Sequence, residues 1–571
     1  MPNPPARHLL LALSMSALVV SVDAAAQETE SPEEETGYFE EVAVDIVNVE
    51  VYVTDREGNP VEGLTIDDFA VLEDGRPVEL LNFYAVSNGR PTSLGEPEDD
   101  RPVDPLAEPE DELDELAYPE EQRLNIIIYV DNLFIHPLDR NRVFSRLRGF
   151  LYDSMKPGDQ VMIASYDRSL HIRHPFTIDI DNASLALDEL EKMTGYAQTR
   201  EMERAEAIAA IYETDSLHRA LFEAKSFAEN TYHEAGQSLD GLREMLDSLA
   251  GIPGRKMLIH VSDGLPAVPG QDLYQAVQQR FADQSALAEA ISRDLSQRYV
   301  HLINEANSSR ISFYTIDAAG LRTQSGMGAE NQAVNSPTGV SFAVDAIRTS
   351  NLQDTLITMA DKTGGQAIFN TNDVSKGLER VTRDFHNYYS LGYRAPISKR
   401  GRYHDIEVRM PNKEKSWRIR HREGYRDKPI ESQMEDMVAA FFVHGYQTNP
   451  LGAAIDMGPQ SPLDDGNYDV AIRVRVPIGR ITLLPLGEFH QAQVRLYFSA
   501  IDEKGAKSPL GEMPLELRIP NESVEIAQQD ELARVINLTM KPGPHKFVVG
   551  VRDEISEVRS VLGRFLMVAE K

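Results

Sequence analysis

The chain has no cysteine. Within its 571 residues this excludes disulfides, thiolate metal ligands and a lipid-bearing cysteine. Basic residues are scarce beside acids, 57 Lys and Arg against 91 Asp and Glu, for a formal charge of −34. Nucleic-acid affinity comes mainly from neutralising phosphates with Lys and Arg, and anionic lipid attracts the same side chains. Neither partner suits this surface. Long uncharged apolar runs are also missing, since the longest candidate, Leu9 to Val20, falls well short of the roughly 20 residues a membrane helix needs. No G-x-S-x-G, H-E-x-x-H or P-loop string occurs, which removes the common hydrolase, zinc-protease and nucleotide signatures.

What is present begins with an export pattern. Arg7 and His8 precede the apolar run, and Ala24-Ala25-Ala26 before Gln27 suits cleavage after small residues. The segment 1–26 therefore reads as a secretory signal, and the mature chain as periplasmic or secreted. Two acidic stretches follow, at 28–41 and 96–121, poor in large apolar residues and containing proline. Such segments repel themselves and stay solvated, so they read as linkers.

Between the linkers, residues 42–83 alternate apolar and polar positions around turns at Gly58 and at Asp74-Gly75, a pattern of short strands. From Leu124 the grammar changes. The fully apolar run at 126–130 and strand patterns at 161–166, 256–261 and 311–316 alternate with helical patterns, as in a parallel sheet covered by helices. A long helical region is expected at 272–308, a polar loop at 321–339, and a helix end at Gly364-Gly365. After Tyr389 the pattern is mostly strands. Those between 469 and 568 have the spacing of an immunoglobulin-like β-sandwich.

Several strings, in order, carry a family resemblance. They are Val51-Tyr52-Val53-Thr54-Asp55 with Gly58, Val61 and Gly63-Leu64, then Asp68-Phe69 and Glu73-Asp74-Gly75. Pro157-Gly158-Asp159, Thr214-Asp215-Ser216-Leu217, Val261-Ser262-Asp263-Gly264, Thr363-Gly364-Gly365 and Tyr388-Tyr389-Ser390-Leu391-Gly392-Tyr393 follow. Together they resemble the exported bacterial VWFA-related family first described from acidobacterial genomes. The resemblance implies a von Willebrand A fold and no general activity. Such domains often hold Mg²⁺ through the Asp and two serines of D-x-S-x-S, a Thr from a second loop and an Asp from a third. Here Asp131, Thr214 and Asp263 match, but Leu133 and Ile135 stand at the serine positions and supply no oxygen.

The expected architecture is multi-domain α/β plus β. A central von Willebrand A-like, Rossmann-like sheet with helices on both faces (123–390) is flanked by a small β module (42–90) and a C-terminal helix plus β-sandwich (429–571). The signal (1–26), an acidic segment (27–41), an acidic linker (91–122) and a β extension (391–428) complete it. The expected role is a non-enzymatic protein-binding or adhesion-type module with a protein partner outside the cytoplasm and no nucleic acid. Its binding face is Asp131, Asn132, Thr214 and Asp263. No cofactor is expected; if Mg²⁺ binds, Asp131, Thr214 and Asp263 are its ligands. Competing readings are an exported hydrolase assembled only in three dimensions, and an architectural envelope component. Asp317 is expected to cap a turn, Trp417 and Tyr388, Tyr389 and Tyr393 to pack, and His171 and His174 to lie on opposite strand faces.

Overall fold

A computed structural model describes residues 46–87, 90–92, 123–322, 342–395, 401–411, 414 and 416–568. The signal and the acidic segment lie outside the described residues, as does the acidic linker from 93 to 122 and the polar loop from 323 onward. The chain is a mixed α/β protein with several separate sheets, in two compact units, Asp45–Pro429 and a second one holding Ile430–Lys571.

In the first unit, β1 (Ile46–Thr54), β2 (Ala70–Glu73), β3 (Arg76–Val78), β4 (Leu80–Ser87) and β5 (Arg90–Thr92) come first. Asp74 and Gly75 both have positive φ, +48° and +78°, as a two-residue hairpin turn between β2 and β3 requires.

The central elements follow: β6 (Leu124–Asp131), α1 (Pro137–Ser154), β7 (Gln160–Tyr166), β8 (Leu170–Thr177), α2 (Ile180–Glu191), α3 (Ala197–Glu213), α4 (Leu217–Leu249), β9 (Arg255–Ser262), α5 (Gln271–Phe281), α6 (Ser285–Ile291), α7 (Ser296–Ser308), β10 (Ile311–Asp317), α8 (Phe342–Lys362), β11 (Ala367–Ile368) and α9 (Ser375–His386). Their sheet runs β11-β10-β9-β6-β7-β8, parallel except for the antiparallel edge strand β8. Numbered within the sheet this is the order 3-2-1-4-5-6, in which the crevice at the carboxyl ends of the first and fourth strands, here β6 and β9, is the usual ligand position. Every residue of β6 and β9 is buried, which explains the apolar centres Ile126–Val130 and Met257–Ile259, while the polar residues of both strands are buried at or near their ends. The expected single helical region at 272–308 is three helices instead. Ala282 turns left-handed at φ +53°, and Asp283 and Asp294 accept backbone N–H bonds from Ser285 and Ser296 just before the next helices.

After the central sheet come β12 (Tyr388–Arg394), β13 (Tyr403–Arg409), β14 (Arg418–Arg420) and β15 (Gly424–Arg426). These do not form a separate extension. β12 lies between β1 and β4, β14 pairs with β1, and β13 pairs with β2 and β15. One apolar core joins Val49, Val51, Phe69, Tyr389, Leu391 and Tyr393, with Trp417 packed against it. The module at 42–90 and the extension at 391–428 are thus halves of one β body. Each half alone would leave a strand face uncovered.

The second unit opens with α10 (Ile430–His444), followed by β16 (Ala454–Pro462), β17 (Tyr468–Pro477), β18 (Leu484–Leu486), β19 (Phe489–Asp502), β20 (Gly511–Pro520), β21 (Glu531–Met540), β22 (Gly543–Asp553) and β23 (Arg559–Val568). A three-stranded sheet, β16-β17-β21, and a five-stranded one around β19 and β22 enclose a common core including Val470, Ile472, Leu496, Phe547 and Val549. That is a β-sandwich. α10 packs Met434 and Phe441 over Gly550 and Gly563, where any side chain would collide with them.

Candidate functional site

The crevice at the carboxyl ends of β6 and β9 is where the sequence places Asp131, Asn132 and Asp263. Even-numbered residues of β6, Ile126, Ile128 and Val130, enter the core that holds residues of α1, α2 and α9. Odd-numbered ones face the other way. Tyr129 there lies close to Gly241 of α4, and Asp131 follows on the same face. Ser238 of α4 donates to Asp131 Oδ2 at 2.8 Å, while the N–H groups of Leu133 and Phe134 donate to Oδ1 at 3.2 and 3.1 Å. Asp131 is fully buried, and burial pushes its carboxyl up to about 6 against the opposing pull of Ser238 and Arg200.

The loop after Asp131 is closed by long cations. Arg140 of α1, itself fully buried, donates to Asn132 Oδ1 and to the carbonyls of Glu191 and Met193 at 3.1 and 2.9 Å. Asn132 donates in turn to the Thr194 carbonyl at 3.0 Å. Arg200 of α3 donates to the Leu133 carbonyl and lies 3.5 Å above the centre of the Phe134 ring. Leu133 and Ile135 are buried under this cover.

Asp263, just past β9, is zipped to the same loop. Its Oδ2 accepts from the His136 N–H at 2.8 Å, and its own N–H donates to the Phe134 carbonyl at 2.8 Å. Its Oδ1 is shielded from solvent without a partner. Burial pushes this carboxyl up to about 8, with Asp139 and Asp317 adding to the rise and Arg322 opposing it. Asp317, at the end of β10, caps its turn as expected, accepting from Ala319 N–H at 3.2 Å. It also accepts from Gln353 at 2.7 Å and Arg322 at 2.9 Å, and Arg322 reaches on to the Asp263 carbonyl at 2.6 Å.

Thr214 is not part of this group. It caps α3, and its Oγ1 accepts from the Ser216 N–H at 3.1 Å. α4 begins at Leu217 and runs unbroken to Ser238 and beyond. That is about 21 residues, roughly 30 Å at about 1.5 Å per residue, between Thr214 and the side chain that covers Asp131. The shared site of Asp131, Thr214 and Asp263 is therefore corrected to Asp131 and Asp263 alone. Ser238, Arg140, Arg200 and Arg322 are the residues that sequence reasoning missed. Only Ser238 left a signal, as a polar member of the buried small-residue stripe Ala224, Ala228, Thr231, Ala235.

The donor set does not fit Mg²⁺, which takes about six oxygens and keeps several waters. Both oxygens of Asp131 are already engaged, Leu133 and Ile135 offer none, and Thr214 lies elsewhere. Among the described residues no group of three or more His, Asp or Glu side chains is placed to hold an ion.

One Ser-His-Asp grouping does occur. At the tip of the β7–β8 hairpin, His171 Nε2 meets both Ser169 Oγ at 2.9 Å and Asp167 Oδ1 at 2.7 Å. A catalytic imidazole must bridge its two partners through different ring nitrogens. Here both share one nitrogen on an exposed turn, so the ring cannot relay a proton.

No family model and no curated protein matches the chain. Matches among solved structures include an aerotolerance-related membrane protein from Bacteroides fragilis, at 12% identity over 46% of this chain and 98% of that one, TM-score 0.22. BatB from Bacteroides thetaiotaomicron matches at 11% over 46% and 96%, TM-score 0.20. The manganese-loaded TRAP protein of Plasmodium vivax matches at 10% over 54% and 95%, TM-score 0.22. No described helix is long and apolar enough to cross a membrane.

Proposed function

We propose that the chain is an exported, non-enzymatic binding protein whose central domain is of the von Willebrand A type and recognises a protein partner without a divalent ion. The observation that carries this reading is the filled carboxyl end of β6. Its Asp131 is spent on two backbone N–H groups and Ser238, and aliphatic side chains occupy the positions where oxygen ligands would be needed. The strand order, with its antiparallel edge, supports the fold assignment. Export rests on the signal-like pattern of residues 1–26.

Asp131 and Asn132 are fully buried and cannot touch a partner. The contact falls instead to exposed neighbours of their loop. Leu138, at the start of α1, is 75% exposed, and Tyr196, just before α3, is 37% exposed. Gly195 brings the two segments together, because a side chain there would strike the Ile135 carbonyl and Pro137 at 2.9 Å. Tyrosine is among the side chains that carry most binding energy at protein interfaces, and an apolar neighbour such as Leu138 serves to exclude water around it.

Full-length chain immobilised and exposed to an envelope extract should retain the same protein in Mg²⁺ and in EDTA. Leu138→Asp combined with Tyr196→Ala should reduce retention at least tenfold, an effect of about 1.4 kcal/mol or more. Retention that requires Mg²⁺, or that survives the double substitution, would contradict the reading.

A further inference from the structure

The opposite, amino-terminal edge of the central sheet carries an excess of buried positive charge in a chain that is otherwise strongly acidic. Arg255 and Lys256 open β9, Arg310 precedes β10, and Arg422 follows β14. Arg255 and Arg422 are each 8% exposed. Arg255 spends its protons on Tyr52 Oη at 2.9 Å and on the Phe385 and Asp384 carbonyls at 3.3 and 3.4 Å, with its guanidinium 3.8 Å from the centre of the Tyr388 ring. Arg422 donates to the carbonyls of Asn307 and Asn48 at 2.9 and 2.8 Å. Among the described residues neither guanidinium has a carboxylate within salt-bridge reach. Asp384, the nearby acid, is paired with Arg420 at 2.6 Å.

Glu50 is the counter-charge that remains, and it is bonded to Arg310. Burial by itself would raise its carboxyl, but Arg310, Arg422 and Arg255 outweigh burial and hold it at about 2. Lys256 is pushed down to about 7 by burial and by Arg310. Arg255 also acts on the Asp159 carboxyl, but at the cavity itself, with Lys256 neutral, the guanidinium groups of Arg310 and Arg422 face the single carboxylate of Glu50. Neutral carbonyls and a ring offset such charges only in part, and a buried cation without a counter-ion is costly.

A cavity of about 20 Å³ opens among these groups, lined by Glu50, Tyr52, Arg310, Ser312, Thr363 and Arg422. The Nε atoms of Arg310 and Arg422 have no hydrogen-bond partner. Tyr52 accepts from Arg255, which leaves its own O–H to donate. The volume suits one guest of about the size of water and is too small for a tetrahedral oxyanion.

We propose that this cavity binds a single monatomic anion of the halide class, held between Arg310 and Arg422 with the hydroxyls of Tyr52 and Ser312 as further donors. The anion supplies the missing counter-charge where the β body meets the central sheet within the first unit. The proposal is independent of the partner-binding reading.

The full-length chain tests it. Thermal unfolding is followed in sodium chloride, sodium bromide and sodium gluconate at one ionic strength. The melting temperature should be higher in the two halides by about 3 °C, as expected for a ligand several-fold above its dissociation constant. Ser312→Ala should shrink that difference and Arg422→Gln should abolish it. Crystals grown in bromide should show an anomalous peak between Arg310 and Arg422. The crystal experiment uses the unaltered chain, so it stands even where Arg422→Gln fails to fold. Equal melting in all three salts, or bromide crystals with no peak in the cavity, would overturn the assignment.

Discussion

Asp263→Asn should make the full-length chain progressively more stable than its parent as the pH rises from about 4 to about 8. Asp263 is raised from its ordinary 3.8 to about 8 and Asp131 to about 6, both by burial. A raised carboxyl binds its proton more tightly in the folded state than in the unfolded one. Between pH 3.8 and its folded value each of these two carboxyls therefore holds more of its proton in the native state, and its contribution to stability is lost as the pH climbs through that window. Each unit costs about 1.4 kcal/mol per group at full linkage. Partial solvent access at Asp263 reduces its share to about 3 kcal/mol. Asparagine keeps an oxygen for the His136 N–H and carries no charge, so the variant should be more stable than the parent at pH 8 and similar at pH 4. Urea denaturation across this range reads the difference. Parallel curves for parent and variant would mean that the Asp263 carboxyl is ionised and stabilised in some other way.

Gly365→Ala should cost about 3 kcal/mol or more, because its Cβ has nowhere to go. The atom would fall 1.9 Å from the Phe313 carbonyl oxygen and 2.8 Å from its carbon, both backbone of the buried strand β10. Thr363 holds the same place from the other side, since its Oγ1 accepts from the Phe313 N–H at 2.8 Å and donates to the Met359 carbonyl at 2.8 Å. Between them Gly364 turns left-handed at φ +78°, closing α8 before β11. Gly75 provides the control. It has a positive φ, +78°, which Gly365 does not, but open space around its Cβ, so alanine there should cost only about 1 kcal/mol, for backbone strain alone. Equal urea midpoints for the two variants would show that close backbone approach is not what requires Gly365.

These two glycines illustrate how much of the fold was legible in the chain itself. Strands buried on both faces write themselves as apolar runs, and residues 126–130, 161–166, 256–261 and 311–316 all lie in the central sheet. The turns at Asp74-Gly75 and at Gly364 are likewise local, since each rests on a positive φ, whereas the need for Gly365 comes from the distant backbone of Phe313. Pairing across hundreds of residues is not. Val49 of β1 meets Leu391 of β12, and nothing in either string names the other. β16 lies before the strands expected from 469 onward, and its Gly458, Pro459 and Pro462 are residue types that ordinarily interrupt a strand. It is an edge strand with a bulge between Met457 and Gln460, where proline is tolerated.

The candidate site divides the same way. That acids stand at the ends of β6, β9 and β10 follows from sequence. That Asp131 is roofed by Ser238 from the middle of α4, and that Thr214 sits a helix length away, depends on where a 33-residue helix crosses the sheet. Arg140 and Arg200 reach their carbonyls through flexible side chains, which no spacing rule anticipates.

Calorimetric titration of Mg²⁺, and separately Mn²⁺, into the full-length chain at neutral pH tests the central claim most directly. With both Asp131 oxygens engaged and the Asp263 carboxyl holding its proton, neither ion should give saturable heat. A saturable isotherm that vanishes in Asp263→Ala would contradict the account and restore a metal to the end of β6.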